Sequence, residues 1–403
     1  MKMKRKILLV VIFTFVCTLS IASKGYPAPQ GIKRGITDDT IKIGFVNGIT
    51  GPASDIIVPV LQALRTYTNY TNDNGGIHGR KIKLLAEDDR LTIPGAVSAF
   101  KKLLYKDEVF ALIGFASGQS KALKDKFIKE RVPTYSFAGT EEMTRPYIRY
   151  IFIPLDPYEN QIGIILDYIL QTSKKKNPKI VNAVIDQAKD QTIRGFDRWT
   201  KHFGINYTTL PLTLNVIDAT AEILTMKKEG VDYIVITHVI PAVALVLRDS
   251  GRFGLNAKVF ATNTATSEAV INLAGPASKD FYGIHCLSSW YDDAPGVAEM
   301  RKITLKYNPG TEKLVRPKSY TIGWVVMKVY CEALKRAGKD IDNEKFIDAM
   351  ETINNFDTKG LSGPITYTSN DHEGVKYDKI YHADPKTVRF IPVTDWRKVP
   401  ELK

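Results

Sequence analysis

The sequence predicts an α/β fold of two doubly wound, parallel-sheet lobes joined by a three-segment hinge. Three observations carry this reading. Short apolar runs rich in β-branched residues alternate with stretches of helical length almost to the C terminus. A polar helical run ends on the adjacent Gly75 and Gly76, just before the alternating segment Lys81-Ile82-Lys83-Leu84-Leu85. One alternating set ends near Tyr150 and a second begins near Lys179, as expected of two similar lobes. Short strands separated by helices pair in parallel and are covered on both faces.

The first strand is Ile41-Lys42-Ile43-Gly44-Phe45-Val46, running into the loop Thr50-Gly51-Pro52. Paired glycines admit positive φ and stop the helix that follows it, and Gly79 precedes the second strand. Together these make a strand–loop–helix–strand unit whose loops collect at one sheet edge. Further strands are read at Phe110–Ile113, Val132–Tyr135, Ile151–Ile153, Ile180–Ile185, Tyr233–Ile236 and Lys258–Phe260. Helices with polar faces lie between them, as at Ala96–Leu104, Glu159–Leu170 and Ala219–Lys228. The chain is expected to cross between lobes at Leu155-Asp156-Pro157, at His285–Asp292 and at Leu361–Pro364, where few residues need change φ/ψ to close a cleft. Ile365-Thr366-Tyr367 and Arg389–Val393 read as late, antiparallel edge strands. The expected division is 36–157 plus 288–363 for the N-terminal lobe and 158–287 plus 364–403 for the C-terminal lobe. There is no low-complexity tract and no solenoid-period repeat.

With 403 residues the chain is long enough for two cores, and 44% apolar with 25% charged residues is an ordinary globular composition. The net charge of +13 is dispersed, apart from Lys174-Lys175-Lys176 and the basic start Lys2, Lys4, Arg5 and Lys6. A nucleic-acid surface needs a basic face with interleaved aromatics, which is missing. The basic start, the apolar run Ile7–Val16 and small residues at Ser20, Ala22 and Ser23 read as a signal peptide over 1–23, cleaved near Ala22–Lys24 to release a free soluble product. Thr14-Phe15-Val16 before Cys17 makes a poor lipoprotein box. Cys286 and Cys331 remain, and sequence leaves open whether they pair.

Enzyme signatures are absent. In Gly114-Phe115-Ala116-Ser117-Gly118 the serine is one place late for a nucleophile elbow, and Ser98-Ala99-Phe100-Lys101 matches S-x-x-K only in mid-helix. No Walker loop or dinucleotide fingerprint occurs, and the six histidines lack ligand spacing, so neither metal nor cofactor is expected. The acid pairs Asp88-Asp89 and Asp292-Asp293 read as turn residues. The sequons at Asn69 and Asn206 carry no weight without a glycosylating host.

Several segments, in order, resemble the branched-chain amino-acid (Leu/Ile/Val) type periplasmic substrate-binding proteins of ABC transporters. They are Ile41–Gly44 with Thr50-Gly51-Pro52, Asn74–Ile82, Asp88-Asp89, Leu112-Ile113-Gly114, Val132-Pro133-Thr134, Ala138-Gly139-Thr140 and Leu247-Arg248. The resemblance implies the type I periplasmic binding protein fold, with ligand trapped between lobes. It implies a monomer that carries a small molecule to a membrane permease, and no enzymatic activity. The same clamp could instead report to a membrane receptor. Ligands of such sheets sit beyond the carboxyl ends of strands, among helix N-termini. Ser117, Gly118, Ala138 and Thr140 are therefore expected to contact a ligand carboxylate, with Gly139 shaping the loop.

The second lobe departs from the amino-acid-binding pattern. Where relatives place an acid for the ligand's ammonium, this chain has Asn263. Where an aromatic wall is common it has His238, and Lys189-Asp190-Gln191 replaces a Tyr-Gly. Ile56 takes the first-lobe aromatic's place. A neutral amide cannot balance a buried cation. The ligand is therefore expected to be an aromatic or aliphatic acid without an α-ammonium, the alternative being an amino acid served by Asp190. Tyr158 and Tyr291, beside two crossings, are candidates for stacking on it.

Overall fold

The structure is a computed structural model describing residues 30–314 and 316–402. The signal peptide expected at 1–23 lies outside them. The first sheet has five strands: β1 (Thr40–Asn47), β2 (Lys81–Asp88), β3 (Ala111–Gly114), β4 (Thr134–Ser136) and β5 (Ile151–Phe152). Their order is β2-β1-β3-β4-β5 and every pairing is parallel. Helices α1 (Ser54–Asp73), α2 (Ile93–Lys101) and α3 (Ser117–Lys129) link them. Gly75 and Gly76 stand at φ 94° and 69° just past α1, so the paired glycines end the helix as read.

The second sheet is built from β6 (Ile180–Ile185), β7 (Tyr207–Leu212), β8 (Tyr233–Thr237), β9 (Lys258–Ala261) and β10 (Phe281–His285), all parallel. Helices α4 (Tyr158–Thr172), α5 (Lys189–Phe203), α6 (Thr220–Glu229), α7 (Ile240–Phe253) and α8 (Glu268–Ala274) accompany it. The chain then returns to the first lobe as α9 (Pro295–Tyr307), α10 (Lys318–Arg336) and α11 (Asn343–Glu351). Trp290, Met300, Trp324 and Phe346 from this return share one core with Ile41 and Phe45. Finally β11 (Tyr377–Asp384), β12 (Arg389–Pro392) and β13 (Arg397–Lys398) add antiparallel strands at one edge of the second sheet.

Alternation along each strand divides the cores. Ile234 and Ile236 of β8 face one core and Tyr233 and Val235 the other, because successive side chains leave opposite faces of a sheet. Strand β7 was not anticipated. It is the sheet's edge, with Thr208 and Thr209 in it and Pro211 near its end, so its apolar signal is weak. Strand β10 was also missed, and the second crossing starts only after it. Ile365-Thr366-Tyr367 is not a sheet strand: Ile365 makes a single bridge to Phe356, and Ile365, Tyr367 and Val375 are buried in the first core. The chain therefore joins the second sheet at Tyr377 and not at Leu361–Pro364. Cys286 and Cys331 are both buried and free.

The three crossings meet at a buried acid pair. Asp156 of the first and Asp378 of the third are fully buried and within hydrogen-bonding reach of each other, next to Cys286 of the second. Asp156 Oδ1 accepts from Asn160 Nδ2 at 2.9 Å, while its Oδ2 and both Asp378 oxygens receive no N–H or O–H among the described residues. Burial, and for Asp156 also the charge of Asp378 and more weakly of Glu373, raise both carboxyls above the usual range, so the pair holds a proton between its oxygens. A carboxyl that keeps its proton when folded and loses it when unfolded makes stability fall as pH climbs from about 4 through neutrality. Asp378→Asn, which supplies the hydrogen permanently, should therefore raise the melting midpoint at pH 8, by on the order of 2 kcal/mol, with the gain vanishing toward pH 4. Calorimetry at both pH values checks this, and an equal shift at each would refute it.

Candidate functional site

The carboxyl ends of the two sheets face each other across a cavity of about 170 Å3, lined from both lobes. Strand β3 ends in a left-handed turn, Gly114 at φ 121° and Phe115 at φ 61°. This turn buries Phe115 in the core behind the sheet and puts Ala116, Ser117 and Gly118 on the cavity wall. A non-glycine residue at positive φ stores strain, and such residues cluster at binding sites.

Helix α3 begins here with no side-chain cap. Its first internal bond is Ser120 N to Ala116 O at 2.9 Å, leaving the amides of Ser117, Gly118 and Gln119 without an acceptor among the described residues. Two other N-termini at the wall also lack a side-chain cap, although in α1 the amides of Ser54 and Ile56 are taken by Gly51 O and Ala53 O. Ala53 caps α1 and Val239 caps α7, neither offers a side-chain oxygen, and both line the cavity. Away from the cavity, α2, α8 and α11 are closed by Thr92, Ser267 and Asp342, while α6, α9 and α10 have no side-chain cap. With Ala188 at the start of α5, four helix N-termini without a side-chain cap border the cavity and give it a positive potential.

Among the described residues, no Asp, Glu, Lys or Arg lines the cavity. His238 does, but both its nitrogens are engaged: Nδ1 accepts from Val239 N at 2.9 Å, so Nε2 carries the hydrogen and donates to Thr213 O at 3.0 Å. Burial pushes its pKa down, so it is a neutral, hydrogen-bonded ring. Ser117 Oγ accepts from Gly139 N at 3.1 Å, which leaves its own hydrogen free for the cavity. Burial raises the Tyr158 phenol, keeping it a donor. Asn263 N donates to Gln161 Oε1 at 2.9 Å, which fixes that loop and leaves the Asn263 amide at the wall.

Of the residues singled out from sequence, Ile56, Ser117, Gly118, Gly139, Tyr158, His238 and Asn263 come together on this wall. Four do not. Ala138 is buried behind it, its N–H bonded to Ser136 Oγ. Thr140 is buried, and its hydroxyl is engaged by Glu159 and Arg194 at 3.1 and 3.0 Å. Asp190 has a side chain 77% exposed and lies 3.9 Å from Lys121, because a short 3-10 turn, Asp186–Ala188, puts Gln187 and Ala188 on the wall instead. Tyr291 sits under the Arg389 guanidinium, 4.4 Å from its ring centroid. Sequence reading also missed Gln119 and Phe137, each two residues or fewer from a chosen position. Spacing along a loop does not say which neighbour faces inward.

A family model described as periplasmic binding protein matches residues 40–386. The leucine-specific-binding protein of Salmonella typhimurium is 22% identical over 250 residues, covering 62% of this chain and 68% of that protein. Leu/Ile/Val-binding protein homolog 1 of Brucella melitensis is 21% identical over 337 residues, 81% of this chain and 86% of its own. Among solved structures, a branched chain amino acid ABC transporter from Thermus thermophilus with bound valine superimposes with a TM-score of 0.83 at 24% identity, covering 90% and 97% of the two chains. A fatty acid ABC transporter substrate-binding protein from Thermomonospora curvata gives 0.82 at 23%, covering 92% and 97%.

Gly139 is where the first-lobe loop touches the second lobe. A Cβ there would fall 2.5–2.8 Å from ring carbons of Tyr158, whose N–H donates to Gly139 O at 3.1 Å. Gly139→Ala should cost about 1–3 kcal/mol in urea unfolding. Gly118→Ala, with nothing within 4 Å of the added carbon, should be neutral or slightly stabilising. Equal losses for the two would show that the Tyr158 contact does not constrain the loop.

Proposed function

This chain belongs to the periplasmic binding protein family, whose members are extracytoplasmic solute-binding proteins and not enzymes, and we propose that it carries a small aliphatic or aromatic carboxylic acid to an ABC importer. The observation that carries this reading is the charge pattern of the cavity: four helix N-termini without a side-chain cap and, among the described residues, no Asp, Glu, Lys or Arg. A carboxylate is well placed against free amides at the start of α3, where helix dipole and hydrogen bonds act together. An α-ammonium would be buried without a counter-ion, since Asp190 points to solvent beside Lys121. Ile56, Ile57, Leu155 and Ile322 offer an apolar surface for the rest of the ligand. Ser117, Gly118, Gly139, Tyr158 and Asn263 are the contacts assigned to its polar end, with His238 and Ile56 as uncharged wall.

The neighbour named as a fatty acid ABC transporter substrate-binding protein supports the acid reading. The amino-acid alternative draws on the relatives named for leucine and for Leu/Ile/Val. The lobes assigned here are 36–157 with 288–376, and 158–287 with 377–402, closing as a monomer that docks on its permease.

A thermal-shift screen separates the readings. Octanoate and phenylacetate should raise the midpoint while leucine, isoleucine and valine do not, because a ligand at a hundredfold excess over its Kd adds about 2.7 kcal/mol. Stabilisation by the amino acids alone would overturn the acid reading.

A further inference from the structure

The acids after Thr140 are not surface decoration. Glu141 and Glu142 lie in a 3-10 turn of the first lobe, and helix α5 of the second lobe faces them with Arg194 and Arg198. Arg194 Nη1 is 2.5 Å from Glu142 Oε1. Its Nη2 is 3.0 Å from Thr140 Oγ1 and 2.9 Å from Glu159 Oε1, a fully buried acid at the start of α4. Arg198 grips Glu141 with both terminal nitrogens, Nη1 to Oε2 at 3.0 Å and Nη2 to Oε1. Lys121 of α3 supports the turn from the first-lobe side, 3.0 Å from Glu142.

Planar guanidinium–carboxylate pairs are geometrically demanding and form only when both partners are in register. Here every partner across the gap belongs to the other lobe, and the gap is the rim of the cavity: Gly139, one residue before Thr140, is on its wall. We infer that Arg194 and Arg198 form a charged clasp with Glu141, Glu142 and Thr140, holding the lobes closed without touching the ligand. The clasp occupies the Thr140 hydroxyl, so closing strength and ligand contact are divided between different residues. These are positioning residues: they set the fraction of molecules in the closed form, and apparent affinity scales with that fraction. Arg194 and Arg198 side chains are 33% and 28% exposed, which leaves the pairs open to screening by salt.

Small-angle scattering of the full-length mature protein, stripped of solute by unfolding and refolding, reads the clasp with no ligand added, so its result is independent of which solute binds. The radius of gyration of the wild type should rise between 20 mM and 1 M NaCl. Arg194→Met/Arg198→Met should already show the larger radius at 20 mM and lose the salt response. Arg198→Glu should open the protein likewise, and adding Glu141→Arg should restore the wild-type radius by exchanging the charges. Circular-dichroism melts identify the variants that fold. A wild-type radius indifferent to salt, a folded Met variant as compact as the wild type, or an exchanged pair that stays open would each overturn the clasp.

Discussion

Parallel strands send every connecting helix back from the same sheet edge, so helix N-termini collect where strands end. That constraint organises this molecule. With two parallel sheets meeting edge to edge, the starts of α1, α3 and α7 converge on one cavity. At the cavity the cap positions are Ala53, Ala116, Ala188 and Val239, none of which offers a side-chain cap. Withholding those caps costs the empty protein stability and leaves donors for a ligand to satisfy.

The same economy governs charge. Among the described residues, Asp, Glu, Lys and Arg side chains are kept off the cavity wall and occur at its rim and in the hinge. The His238 ring, which might have titrated, is fixed neutral by Val239 and Thr213. Glu159, one residue beyond the wall residue Tyr158, is buried and has its pKa pushed up to about 7 by desolvation, against the pull of Arg194. Its two contacts, Thr140 and Arg194, tie the buried start of α4 to the rim. The hinge repeats the theme with Asp156 and Asp378, a carboxyl pair placed where all three crossings meet. Binding, closing and hinging thus use different polar groups.

The lobes were legible because strand and helix periodicities differ and the glycine pair marks a helix end. The strands at Ile180–Ile185 and Tyr233–Ile236 are continuous apolar runs, as a strand buried on both faces must be. The edge strand β7 escaped because only part of it is buried, and the turn around Ile365 looked like a strand because its buried residues alternate without any ladder. In the site, Ser117 and Gly139 were reachable from the strand–loop–helix rule. Gln187 was not, because a 3-10 turn of three residues shifted the wall away from Asp190.

By itself the sequence determined the element types, the two-lobe plan and the family, since these depend on local periodicity and on ordered short motifs. It also determined that Asn263 brings no negative charge to its loop. Only the tertiary structure decided which loop residues face inward, that Cys286 and Cys331 stay apart, and that Thr140 and Glu141 meet arginines 54 and 57 positions away. Such contacts depend on how two separately folded sheets are set against each other, and no pattern within either one encodes that distance.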